Sequence, residues 1–412
     1  MVKEGYKEVR IGPKLKLIPD GWKIYKLKNI ISKRKGKRPN NLFENKIDEK
    51  FIPYLSVNYL RGNELPKWCS KEDNNKVEVN ENEILMIWDG SYSGNVFTGF
   101  NGALSSTMAK LKCGKETNNK YLFYQLKNNF KVFQSTTIGT SVPHVAGKVF
   151  ENLNIPTPSK REQKKIASIL SSVDKTIEKT DEVIEKTKEL KKGLMQQLLT
   201  KGIGHSEFKE VRVGTKLIKI PTKWDLLQFN QVYKKRNKRN KEARNYRYIG
   251  LEHIESGNIN LIDYDKNGKE RSSSRMFEEG DILYGKLRPY LDKAAISKFD
   301  GICSTDIIPI YSTDLSTNEY LLYLLHSKYF VDFAVSTMEG TNLPRTSWRV
   351  IKNLNIPVPP LEEQKKIASI LSSVDEKIKK EEEYKSKLER LKKGLMQKLL
   401  TGEIRVNTES EV

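Results

Sequence analysis

Cysteine and histidine are scarce in this chain, with three and four residues among 412. Cys69, Cys113 and Cys303 are odd in number and widely scattered, so they build neither a disulfide framework nor a CxxC zinc knuckle and read as reduced core residues. His144, His205, His253 and His326 lie far apart without ligand spacing, which leaves metal chemistry and His-based hydrolysis with weak support. A GxxxxGK[ST] phosphate loop is missing, so ATP binding by this chain is not expected. No NPPY-like or DPPY-like tetrapeptide of base methylation occurs either. The longest apolar runs, such as YLLYLL from Tyr320, are far shorter than the roughly 18 residues of a membrane span. MVKEGYKEVR at the start has no apolar run to act as a signal, so the expected location is cytoplasmic. Acid is the last shortage: 52 Asp and Glu stand against 74 Lys and Arg, a formal charge of +22. Such an excess attracts phosphates, which makes nucleic acid the first candidate partner. Lysine-rich surfaces are also typical of heat-loving organisms, and both readings can hold together.

What the chain does have is a second copy of itself. EQKKIASILSSVD begins at Glu162 and again, unchanged, at Glu363. NLNIPTP from Asn152 returns as NLNIPVP from Asn353, LKKGLMQ from Leu190 returns from Leu391, and YKEVRIGPKL from Tyr6 returns as FKEVRVGTKL from Phe208. A nearly constant offset between several segments marks a duplication. Between these markers, residues 23 to 150 and 225 to 350 keep only scattered anchors. ILMIWDGSYSG from Ile84 lies on ILYGKLRPYLD from Ile282, GALSST from Gly102 on GICSTD from Gly301, and IGTSVP from Ile138 on EGTNLP from Glu339. Runs such as FIPYLSV, NEILMIW, YRYIGL and GDILYG read as strands, and NKYLFYQLKNNF and NEYLLYLLHSKYF as helices. Each stretch is therefore expected to be a mixed α+β globule, sharing a framework and differing in surface.

After each NLNIPxP phrase the period changes. Ile166, Leu170, Val173, Ile177, Thr180, Ile184, Thr187, Lys191, Leu194 and Leu198 alternate steps of four and three, the seam of a coiled coil, and Ile367, Leu371, Val374, Ile378, Leu388, Leu395 and Leu399 follow in register. Ser159 and Glu162 have capping-box spacing, the prolines of IPVPPL are expected to fix helix entry, and Gly202 and Gly402 stand where the helices should stop. Each helix should run about 40 residues, roughly 60 Å. Neither can bury its stripe alone, so the two should pair within the chain. The pairing should be antiparallel, because a parallel pair would force the ends of the second globule about 60 Å apart. A rod carrying a globule at each end, related by a quasi-twofold axis, is the expected architecture.

The order globule, helix, globule, helix, with NLNIPxP and EQKKIASIL opening each helix and GTSVP or GTNLP just upstream, resembles the specificity subunit of Type I restriction-modification enzymes over essentially the whole chain. The resemblance implies target recognition domains at 1–155 and 203–356, conserved helices at 156–202 and 357–405, and a tail at 406–412. It further implies a non-catalytic subunit in which each domain reads half of a split double-stranded DNA target, with the helices as a ruler. It implies two methyltransferase subunits and, in the full complex, restriction subunits as partners; S-adenosylmethionine, ATP and magnesium would belong to those partners. The alternative is a basic coiled-coil scaffold that binds RNA or another polyanion.

Two basic clusters follow the repeated N-terminal segments at matching places, which favours phosphate contacts. Lys33, Arg34, Lys35, Lys37 and Arg38 form one; Lys234, Lys235, Arg236, Lys238, Arg239, Lys241, Arg244 and Arg247 form the other. Base reading requires polar or cationic side chains on loops that reach a groove. Beside the shared anchors these are Asn58, Arg61, Trp88, Ser91, Tyr92 and His144 in the first domain, and Glu252, His253, Lys286, Arg288, Arg345, Trp348 and Arg349 in the second. Trp88 and Trp348 are equally suited to a core. The invariance of Glu162, Gln163 and Lys165 and of their copies Glu363, Gln364 and Lys366 is expected to mark one docking face presented twice. Gly193 and Gly394, inside the helices, would suit either a close neighbour or a kink.

Overall fold

A computed structural model describes residues 4–139, 141–238, 246–266 and 274–407. Contacts divide the chain into two compact units, Met1–Thr180 with Tyr384–Val412, and Asp181–Glu383. The linear boundaries expected for the domains are thus interleaved, because each long helix gives one part to each unit.

In the first unit, the hairpin Tyr6–Ile11 and Lys14–Pro19 precedes a four-stranded antiparallel sheet in the order Ile31–Lys35, Met108–Cys113, Ile84–Ile87, Val96–Phe97. A second sheet pairs Phe51–Leu55 in parallel with Gly102–Leu104. The second unit repeats this plan. Its hairpin is Phe208–Val213 and Lys216–Pro221, its antiparallel sheet runs Tyr233–Lys235, Ile307–Ser312, Ile282–Gly285, Ala294–Ile296, and Tyr248–Ile249 lies parallel to Gly301–Cys303. The strands follow β-branched and aromatic runs, and Asn119–Asn128 and Asn318–Leu325 form the expected helices.

Pro359 and Pro360 immediately precede the second long helix, where they are expected, but the first proline of each NLNIPxP phrase, Pro156 or Pro357, does something other than fix helix entry. Asn154–Thr157 and Asn355–Val358 are strands, each paired antiparallel with Lys23–Lys26 or Asp225–Gln228. Proline donates no amide to a ladder, and in a two-stranded pairing it leaves the outer edge without a donor. The phrase therefore stitches the end of each domain to its beginning, just before the long helix departs.

The long helices are Lys160–Lys201 and Leu361–Leu399, and they pair antiparallel. In the first unit Ile166, Ala167 and Leu170 share a core with Met396, Leu399 and Leu400. In the second, Leu198 and Leu199 share one with Ile367, Ala368 and Leu371. Start meets end in both, as the loop-closure argument required. Asp174 pairs with Lys392 and accepts from Tyr124 Oη at 2.7 Å; its copy Asp375 pairs with Lys191 at 2.6 Å and accepts from Tyr323 Oη at 2.9 Å. Gly202 and Gly402 adopt φ of +66° and +73°, the left-handed geometry that ends a helix without a Cβ clash. The capping box is half formed: Ser159 Oγ accepts from the Glu162 amide at 3.2 Å, while the Glu162 carboxylate turns to Arg405.

Burial pushes the Cys69 thiol up to about 11 and those of Cys113 and Cys303 to about 12, so all three are protonated at neutral pH and fit their reading as core residues. No described helix is long and apolar enough to cross a membrane.

Candidate nucleic-acid interface

The residues that flank the shared anchors GTSVP and GTNLP pair with one another in each domain. Ile138 and His144 exchange backbone hydrogen bonds of 3.0 and 2.9 Å, and Glu339 and Arg345 exchange two of 2.9 Å. His144 bridges back to Asp89, and Arg345 to Leu287, just beyond the central strands Ile84–Ile87 and Ile282–Gly285. His144 and Arg345 thus occupy one framework position and carry different chemistry. His144 is half-buried, whereas Arg345 is locked to Asp306 through Nε at 2.8 Å and Nη2 at 3.3 Å. That pairing raises the Arg345 pKa further and fixes the guanidinium as a cation.

The first basic cluster lies on and after the strand Ile31–Lys35. Lys33, Arg34, Lys35, Lys37 and Arg38 are all exposed. Lys33 Nζ sits 3.8 Å over the Trp88 ring, and Lys35 pairs with Asp89 at 2.6 Å. Trp88 is only 9% exposed and meets Phe150 edge to face at 5.1 Å, so it is a wall of the core rather than a base reader. Asn58 is exposed and faces Glu64 at 3.5 Å; Ser91 is exposed; Arg61 stacks 3.4 Å over Tyr92.

In the second domain Lys234 and Lys238 are exposed, and Lys235 is half-buried. Arg239, Lys241 and Arg244 lie outside the described residues. Arg236 departs from the phosphate-contact expectation. Its Nε donates to the buried Asp281 at 2.5 Å and its Nη2 reaches Glu278 at 2.7 Å, which makes it a structural cation holding the turn between the strands Arg275–Phe277 and Ile282–Gly285. Arg247 is spent on the Phe299 and Tyr264 rings. Lys235 and Lys286 both have lowered pKa values. Partial burial is the main cause, and for both the nearby Arg275 adds repulsion; Lys286 is in turn supported by Asp306 at 4.0 Å. Crowded cations held against burial and like charge are a place where an incoming anion is favoured. Arg288 and Arg349 are exposed. Trp348 packs edge to face on Phe229 at 5.8 Å and belongs with the core. His253 is also buried: its Nδ1 accepts from the Gly250 amide at 2.9 Å, so its Nε2 carries the hydrogen and faces Asp265 at 3.7 Å. Glu252, beside it, stays exposed.

Arg275, Asp281 and Asp306 were missed from the sequence. Asp306 ends the GICSTD anchor and was within reach; Arg275 and Asp281 lie in segments where nothing but the folded sheet brings them to the cluster.

The invariant helix starts are a correction. Glu162 and Gln163 are 3% and 1% exposed, and Gln364 is fully buried, so these residues do not form an external docking face. Gln163 Oε1 accepts from the Asn118 amide at 2.7 Å, while its Nε2 donates to the carbonyls of Glu116 at 3.0 Å and Pro158 at 2.9 Å. Gln364 repeats this with the Thr317 amide at 3.2 Å and the carbonyls of Leu315 at 2.9 Å and Pro359 at 2.8 Å. Glu162 binds Arg405 at 2.6 and 3.0 Å; Glu363, also largely buried, binds His205 at 2.8 Å and the Trp224 indole at 3.0 Å. The four residues clamp each helix start to its own domain. Lys165 is half-buried, and Lys366, Lys164, Lys365, Ser168 and Ser369 are exposed.

A duplicated α+β domain with cationic loops around a constant framework, and a paired helix threading each copy, defines a two-domain recognition protein. The chain belongs to the Type I restriction modification DNA specificity domain family, whose model matches residues 19–189 and 223–390. It is 34% identical to the Type I restriction enzyme MjaVIII specificity subunit of Methanocaldococcus jannaschii, over 94% of each chain. It is 24% identical to the EcoDI specificity subunit of Escherichia coli, over 96% of this chain and 91% of that one. Among solved structures, the specificity subunit of a Type I restriction-modification system from M. genitalium superposes with a TM-score of 0.59 at 18% identity, covering 92% of this chain and 96% of that one.

Proposed function

We propose that the chain reads an asymmetric, bipartite duplex target, one half with each domain, and catalyses nothing itself. The observation that carries this is the pairing of one framework with two sets of side chains. His144 and Arg345 occupy equivalent positions yet carry different chemistry, and Trp88, a core wall, stands where the second domain has the cation Lys286. Identical readers would suit a palindrome; unlike readers suit two different half-sites. The helix pair is the natural spacer between them.

Two methyltransferase subunits are the proposed helix partners, with restriction subunits joining the full complex. With Glu162, Gln163, Glu363 and Gln364 committed inward, the docking surface rests on what stays outside and unchanged: Lys165 with Lys366, Ser168 with Ser369, and Leu190 with Leu391. Leu190 and Leu391 are each more than half exposed. One turn further on, Gly193 and Gly394 have open space where a Cβ would stand, and both helices continue through them unbroken. A close-approaching partner backbone accounts for glycine there better than a kink. S-adenosylmethionine, ATP and magnesium are assigned to the partners.

The test is a gel shift of the chain with its partners on duplexes carrying the target mapped from methylated bases in the host genome. Retention of that duplex against excess competitor RNA and random duplex is expected. Equal loss to RNA would favour the polyanion-scaffold reading, and methyl transfer by the isolated chain would overturn the non-catalytic one.

A further inference from the structure

One turn is anchored in the same way in both domains, with positive φ at both of its ends, although most of its sequence is not shared. In the first it runs from Gly90 to Gly94, with φ of +107° and +93° at its ends; in the second it runs from Arg288 to Asp292, with φ of +50° and +47°. Arg288 and Asp292 are the two non-glycine residues with positive φ among the described residues, and they stand where the first domain uses glycine. The left-handed region disfavours a side chain, so this backbone shape is kept against local preference. Both turns hang from the same peg: the Gly90 amide donates to the Pro143 carbonyl at 2.7 Å, and the Arg288 amide to the Pro344 carbonyl at 2.8 Å. The second turn is latched further by the buried side chain of His326, whose Nδ1 meets Asp292 Oδ1 at 2.8 Å and whose Nε2 meets the Ala294 carbonyl at 3.0 Å.

Each turn holds a tyrosine at its centre. Tyr92 is 40% exposed and Tyr290 51% exposed, while most tyrosines of the two cores are buried. Arg61 covers one face of Tyr92 at 3.4 Å, and Arg288 opens the turn that carries Tyr290. We infer that Tyr92 and Tyr290 are specificity-determining residues, presented to base edges in a groove of the duplex, one in each half-site. This rests on the DNA-reading function proposed above. Tyrosine has the chemistry for base reading, since its ring packs on a thymine methyl and its hydroxyl donates to or accepts from a base edge, while the adjacent arginine supplies bidentate donors. A rigid turn lets such contacts form without ordering a loop at the moment of binding.

The test uses the full chain with its partners, the methylation-mapped duplex, versions of that duplex with one half scrambled, and a random duplex. Tyr92→Ala and Tyr290→Ala are compared with the parent, with thermal unfolding as a control for the fold. Each variant is expected to lower affinity for the mapped duplex on the order of tenfold. Each should leave random-duplex affinity unchanged and remove discrimination in one half only, a different half for each. If both variants keep the parent's preference in both halves, or lose mapped and random duplex equally, the inference is overturned. If the parent itself does not prefer the mapped duplex, the DNA-reading function fails, and this inference with it.

Discussion

Gln163 and Gln364 show how a polar side chain becomes a rivet. Each amide spends its oxygen on the amide of a helix N-cap and its nitrogen on two carbonyls, satisfying loop groups that would otherwise be buried without partners. Gln364→Ala leaves those groups unpaired and is expected to cost about 2–3 kcal/mol in urea unfolding, whereas Lys366→Ala, on the exposed side, should stay within about 0.5 kcal/mol. The repeat told which residues matter but not why. Glutamine in a charged helix reads as surface, and its inward direction is visible once the N-caps at Asn118 and Thr317 are placed beside it.

Among the elements, the long helices were the most legible, since a step pattern of four and three sustained over some forty residues admits little else. Their caps were less so. Glu162 has the spacing to cap its own helix, yet Arg405, 243 residues on, offers a bidentate partner and wins. The strand pairing of the NIPT and NIPV segments is not legible in the sequence, because a two-stranded ladder with residues near the start of the same domain leaves no local trace. On the outer helix surface, Leu190 and Leu391 are apolar side chains left in solvent at equivalent positions, each beside a glycine with open space before it. Leu190→Lys with Leu391→Lys should leave the unfolding midpoint unchanged and abolish co-purification of a methyltransferase partner. Co-purification at the parent's level would move the docking surface elsewhere on the helices.

At the scale of the whole molecule, duplication and charge were readable, and the two act at different ranges. A surplus of 22 positive charges draws any polyanion, so it explains affinity for phosphate and contributes nothing to sequence choice. Choice must come from side chains that reach base edges, and the structure separates several cationic residues that are committed elsewhere. Arg236 looked like a phosphate contact and is bound to Asp281 beneath it, so its removal would unseat a buried carboxylate and confuse a binding measurement with a folding one. Lys37 and Lys238, exposed at the ends of the two equivalent strands, are the cleaner probes. Lys37→Ala with Lys238→Ala should weaken binding to mapped and random duplexes by the same factor and flatten the plot of log affinity against log salt by about 2, near the 0.9 expected per phosphate. A change in which duplex is preferred would instead place these lysines at base edges, and would mean that the two strands approach a groove rather than the backbone that borders it.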